Sequence, residues 1–119
     1  MRKKNQKIRC EKQRLPKFKG LCKTYDKVQT ATAVLLSQQE GIVCIRCNVD
    51  SAIIDGKEYT SDFVCEKEDG TLAVRECLYR RYLMKPLNIK TLDASRTFWL
   101  KRGVTDWALV VDDGGSYEG

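Results

Sequence analysis

The chain has 119 residues, 22 Lys and Arg against 16 Asp and Glu, and a formal net charge of +6, which suits one domain with one modest core. No apolar run approaches the roughly 18–20 residues of a membrane span, and the basic start MRKKNQKIRCEKQR is followed by no apolar stretch of the secretory kind, so a cytoplasmic protein without membrane contact is expected. With no histidine in the chain, a serine or cysteine nucleophile has no histidine base, and no phosphate-cradling glycine loop occurs either.

Charge is unevenly spread. Residues 1–23 hold ten Lys and Arg against Glu11 alone, a net of +9, so the remainder carries 6 − 9 = −3. Pro16 and Gly20 argue against one long helix there, so a poorly ordered basic arm is expected over 1–23. An arm of this kind favours a polyanion, with DNA the usual partner of a cytosolic protein. Lys3, Lys4, Lys7 and Arg9 are its candidate DNA contacts. The competing reading is a solvated tail that only aids solubility.

The folded part begins with TYDKVQTATAVLLSQQEG. Val28, Ala31, Val34, Leu35 and Leu36 recur at roughly helical spacing, Thr24 or Asp26 suits the N-cap, and Gly41 suits the end. Its threonines lower helix propensity, so packing must hold it. Ile42 to Val49 reads as a strand, and Ala52 to Ile54 as a second short strand turning at Asp55-Gly56. Tyr59 to Arg81 then reads as two strands joined at Asp69-Gly70, a dipeptide favoured in tight hairpins. Lys85-Pro86 breaks the strand pattern. A helix follows from Pro86, with Ile89, Leu92, Arg96 and Trp99 on one stripe and Lys101-Arg102-Gly103 as its stop. VTDWALVVD is a final strand, and the glycine-rich end over 113–119 is expected to be flexible. The order is α-β-β-β-α-β over one domain, 24–112. One crossover helix, with helices on both faces, predicts a three-layer α/β sandwich around a mixed sheet.

Six cysteines invite a zinc reading, and Cys44 and Cys47 have metal-ligand spacing. No second Cys-x-x-Cys exists, and Cys44, Cys65 and Cys77 lie among strand-like apolar residues, where cysteine behaves as a small hydrophobe. Buried reduced thiols are therefore expected in place of zinc. Trp99 and Trp107 are expected in the core.

Within the hairpin, Asp62 and Glu76 stand equally far from the turn, since 69 − 62 and 76 − 69 are both 7. They fall opposite, or one residue off opposite, on neighbouring strands, where like charges are destabilising. A divalent cation between them is one answer. A slipped register that turns one acid to solvent is the other. Past the hairpin, Arg80 and Arg81 beside Tyr79, Tyr82 and Lys85 form a basic, aromatic cluster. It suits either a phosphate backbone with a stacked base or a solvated strand end. Arg96, Lys101 and Arg102 are further candidate contacts, and Asp112 and Asp113 suit a turn or a supplementary metal ligand.

SDFVCEKEDGTLAVREC followed by DASRTFWLKRGVTDWALVVD resembles the N-terminal catalytic domain of TnsA, the endonuclease subunit of heteromeric cut-and-paste transposases in the PD-(D/E)xK nuclease superfamily. The likeness spans roughly residues 24–112. Asp62-Phe63, Gly70 and Glu76 match the family's first catalytic strand, glycine turn and glutamate, and Arg96 to Val104 match its Arg-x-x-Trp/Tyr helix and following glycine. It implies a restriction-endonuclease-like core, Asp62 and Glu76 as ligands of Mg²⁺ or Mn²⁺, DNA as substrate and a transposase subunit or other nucleoprotein complex as partner.

Two positions depart from the family pattern. Gln29 stands where a helix glutamate helps to hold the metal, and Leu78 stands where lysine positions the attacking water. Gln29 keeps a carbonyl oxygen but no charge. Lys90 from the next helix, or Arg80, would have to replace the lysine, and arginine is a poor base. Two functions follow as expectations: a metal-dependent DNA endonuclease subunit, or a catalytically inactive nuclease fold that regulates or inhibits a nucleoprotein complex such as a CRISPR effector or transposition machinery.

Overall fold

A computed structural model describes residues 10–54 and 56–112. Lys3, Lys4, Lys7, Arg9, Asp55, Asp113 and the tail expected over 113–119 lie outside the described residues.

The first long element is helix α1, Lys27–Gln38. Asp26 caps it by accepting the Gln29 N–H at 2.8 Å. Thr32 turns its hydroxyl back to the Val28 carbonyl at 2.8 Å, so this threonine satisfies itself locally. Val28, Ala33 and Leu36 are buried, and that packing holds a helix whose propensity is weak.

Strand β3, Ile42–Ile54, runs antiparallel to β4, Lys57–Lys67. The two strands expected over 42–49 and 52–54 are one. A register irregularity between Asp50 and Ile53 absorbs the polar break at Asp50-Ser51 as a bulge. Strand β5, Leu72–Leu78, continues antiparallel to β4. The connection between them is longer than a two-residue hairpin. Lys67 N–H donates to the Thr71 carbonyl at 2.9 Å, and Asp69 Oδ1 accepts both the N–H (2.9 Å) and the hydroxyl (2.6 Å) of Thr71. Gly70, at φ +85°, supplies the left-handed residue this loop needs.

A short 3₁₀ turn over Arg80–Tyr82 leads into helix α2, Pro86–Leu100, which starts on its proline as expected. Strand β6, Asp106–Val111, returns parallel to β5. The sheet order is β3-β4-β5-β6, so the described residues form an α/β fold with a four-stranded mixed sheet and two α-helices.

The strands divide their side chains with a period of two. Phe63, Cys65, Ala73 and Cys77 join Val28, Ala33 and Leu36 of α1 in one apolar cluster. Val64 and Val74 join Trp99 of α2 and Val104 in another.

Residues 11–23, expected within a poorly ordered arm, are structured. Strands β1, Glu11–Gln13, and β2, Cys22–Thr24, pair antiparallel. Between them the Ile45 N–H donates to the Lys17 carbonyl (2.8 Å) and the Lys19 N–H to the Ile45 carbonyl (3.0 Å). Phe18 meets Phe63 edge-on at 6.1 Å between ring centroids. The reason is apolar: Leu15, Phe18 and Cys22 reach the α1-side cluster, while Lys12, Arg14, Lys19 and Lys23 stay exposed. Charge density hid three anchoring side chains. Among the described residues no helix is long and apolar enough to cross a membrane.

Candidate functional site

The β4–β5 register pairs Phe63 with Arg75, and one residue further it sets Asp62 against Glu76. There each carboxylate takes over a backbone partner. Glu76 Oε1 accepts the Asp62 N–H at 3.0 Å, and Asp62 Oδ2 accepts the Cys77 N–H at 2.8 Å. Each acid thus accepts a backbone N–H of the facing strand.

Gln29 of α1 closes the other side of Asp62, donating from Nε2 to Oδ1 at 2.6 Å. The orientation of this amide is settled by its second contact. Gln29 Oε1 accepts the Tyr25 N–H at 2.7 Å, which only an oxygen can do. The carbonyl oxygen that a metal would need is therefore committed to the backbone.

On the α2 side, the Ser95 hydroxyl donates to Glu76 Oε2 at 2.5 Å. Ser95 Oγ also accepts from Trp107 Nε1 at 3.1 Å and lies 3.5 Å from Ser61 Oγ, which in turn accepts from Trp99 Nε1 at 2.8 Å. Asp62 is 5% exposed and Glu76, Gln29, Ser61 and Ser95 are 0%, 1%, 0% and 3% exposed. Burial, aided by the Asp62 charge, pushes the Glu76 carboxyl up to about 8. At neutral pH Glu76 favours its protonated form.

Asp62, Glu76 and Gln29 are thus brought together. Ser61 and Ser95 were missed, although a signal existed. Ser95 lies on the same helix face as Leu92 and Trp99, three residues after one and four before the other. A small polar residue on a buried stripe needs a polar partner.

The remaining candidates lie elsewhere. Leu78 is 6% exposed and lines a cleft of about 390 Å³ with Asp26, Tyr79, Tyr82, Lys85 and Asn88. Lys90 is exposed on α2, roughly 140° around the helix from Ser95 at 3.6 residues per turn. Arg80 is tied to the end of the sheet: its N–H donates to Asp112 Oδ1 at 2.7 Å and its Nε to the Asp112 carbonyl at 3.0 Å. Arg81 lies 5.0 Å from the Tyr79 ring centroid and 4.9 Å from that of Tyr82, and Lys85 Nζ lies 4.9 Å from Tyr82. Arg96, Lys101 and Arg102 are exposed, and Arg102 stacks on Phe98 at 3.6 Å. The cationic edge is ordered by its aromatics.

The donor chemistry fits a divalent cation poorly. Every oxygen of the acid pair already has a protein donor, and Gln29 presents N–H to Asp62. Among the described residues no cluster of three or more His, Cys, Asp or Glu is arranged to hold a metal. Cys44 and Cys47, three apart on β3, point to opposite faces of the strand and do not converge on one ion. Cys65 and Cys77 are buried; burial pushes the first thiol up to about 11 and the second well above its ordinary range.

No protein-family model matches this chain, and no curated protein matches it.

Proposed function

We propose that this chain is a nuclease-fold protein, layered as in the restriction-endonuclease-like core, that binds nucleic acid and does not cut it. The observation carrying this reading is the Gln29 amide donating to Asp62 at 2.6 Å, where a catalytic cation would need a lone pair facing it. Apolar Leu78, buried at the position of the family's lysine, supports it: nothing there activates water. The binding surface is the edge built by Tyr79, Arg81, Tyr82 and Lys85 beside the cleft, with the exposed Lys and Arg of the N-terminal ribbon adding charge. Through that surface the protein acts as a regulator within a DNA-processing nucleoprotein complex.

One observation favours a second reading, a TnsA-like metal-dependent endonuclease: the direct opposition of Asp62 and Glu76. It requires Mg²⁺ or Mn²⁺ to displace the Gln29 amide, and a surrogate base from Lys90 or Arg80.

Plasmid incubation with Mn²⁺ separates the two, run beside salt-dependent binding of a labelled duplex. The expected result is binding that weakens log-linearly with salt and no nicking. Nicking that disappears in Asp62→Ala establishes the endonuclease instead, and absence of binding at low salt removes the nucleic-acid reading.

A further inference from the structure

The Cys22 and Cys47 thiols meet where the N-terminal ribbon lies on the sheet. Cys22 opens β2 and is 0% exposed; Cys47, on β3, packs against the cluster that contains it and is half-buried. The two segments are clamped on both sides of the pair. Cys47 Sγ lies 3.7 Å from the Leu21 carbonyl oxygen, and Asn48 Nδ2 donates to the Lys23 carbonyl at 3.0 Å. The residues flanking Cys22 are thus held by Cys47 and its neighbour, and both cysteines belong to the same apolar cluster. Interaction with the neighbouring Cys22 thiol lowers the Cys47 thiol, while interaction with Cys47 and burial drive Cys22 up. Cys47 also donates to the Leu21 carbonyl. Accessibility divides the roles: Cys47, half-buried, is reachable as the nucleophile, and Cys22, fully buried, is placed to resolve.

We propose that Cys22 and Cys47 are a dithiol site that a small-molecule disulfide such as oxidised glutathione converts into an intramolecular disulfide, fastening the N-terminal ribbon to β3. The Cys47 thiolate attacks one sulfur of the oxidant, forming a mixed disulfide and releasing one glutathione thiolate. Cys22 loses its proton, attacks the Cys47 sulfur and releases the second glutathione. Two protein thiols are oxidised, one disulfide is reduced to two thiols, and the two protons pass to the released thiolates.

The test is thiol counting and peptide mapping of the full chain after exposure to oxidised glutathione. Free thiols, titrated after unfolding with an alkylating agent, should fall from the six of the reduced protein to four, and the cross-linked peptide should join Cys22 to Cys47. Cys22→Ser, which removes the resolving thiol, should instead accumulate a glutathione adduct on Cys47. Cys22→Val serves the same purpose if the serine is not tolerated in the buried position. Six thiols remaining, a stable adduct on Cys47 in the unaltered chain, or a cross-link through any other cysteine each overturns the proposal.

Discussion

Asp62 and Glu76 each accept a backbone N–H of the facing strand: the Asp62 N–H donates to Glu76 Oε1 at 3.0 Å, and Asp62 Oδ2 accepts the N–H of Cys77 at 2.8 Å. Two opposed acids are normally a repulsive pair. Here every oxygen meets a protein donor, while burial and the Asp62 charge lift the Glu76 carboxyl to about 8.

Gln29→Glu tests the donor on Asp62. It replaces an N–H donor with a buried negative charge against a carboxylate now 2.6 Å away, and breaking such a pairing costs about 2–4 kcal/mol. Urea unfolding at pH 7 should show a lower midpoint with an unchanged slope. An unchanged midpoint would mean that the Gln29–Asp62 bond does not hold this network.

The raised Glu76 carboxyl sets a pH dependence. Unfolded, the group releases its proton near 4.5; folded, it keeps it until about 8. Between those values the native state binds the extra proton, so its contribution to stability falls as pH rises through this window. Glu76→Gln removes the titrating group, and it should flatten the stability profile from pH 5 to 8. A profile that keeps its slope in Glu76→Gln would place the titrating group elsewhere.

Ser95 holds Glu76 Oε2 and the Trp107 N–H at once. Ser95→Ala leaves both without that partner in a buried setting, a loss of about 2–3 kcal/mol in equilibrium unfolding. A loss below about 0.5 kcal/mol, the ordinary scatter for surface changes, would show Ser95 to be a bystander.

Arg81 lies about 5 Å from both the Tyr79 and Tyr82 rings at the proposed binding edge. If it contacts a phosphate, Arg81→Ala should weaken duplex binding for all sequences alike and lower the slope of log affinity against log salt by about 1. An unchanged slope moves the binding surface away from this turn.

Much of the fold was legible because its cues are local. Asp26 caps α1, Pro86 starts α2, and Phe63 and Val64 alternate faces just as period-two patterning requires. The ribbon was not legible, because Leu15, Phe18 and Cys22 are isolated among lysines and gain their burial from a cluster built by distant residues such as Ile45 and Phe63. The opposition of Asp62 and Glu76 could be read from spacing, whereas Gln29 was placed beside them only by the resemblance. What they do to one another could not, since it depends on which atom of Gln29 faces Asp62, and that is decided by the Tyr25 N–H. Ser95 escaped notice for the same reason: its partner lies on another element.

The most direct measurement is a Mn²⁺ titration of the unaltered chain, following free Mn²⁺ by electron paramagnetic resonance. A closed carboxylate pair predicts no saturable site and no difference between the unaltered chain and Asp62→Asn. Saturable binding of one ion per chain, abolished by Asp62→Asn, would contradict it.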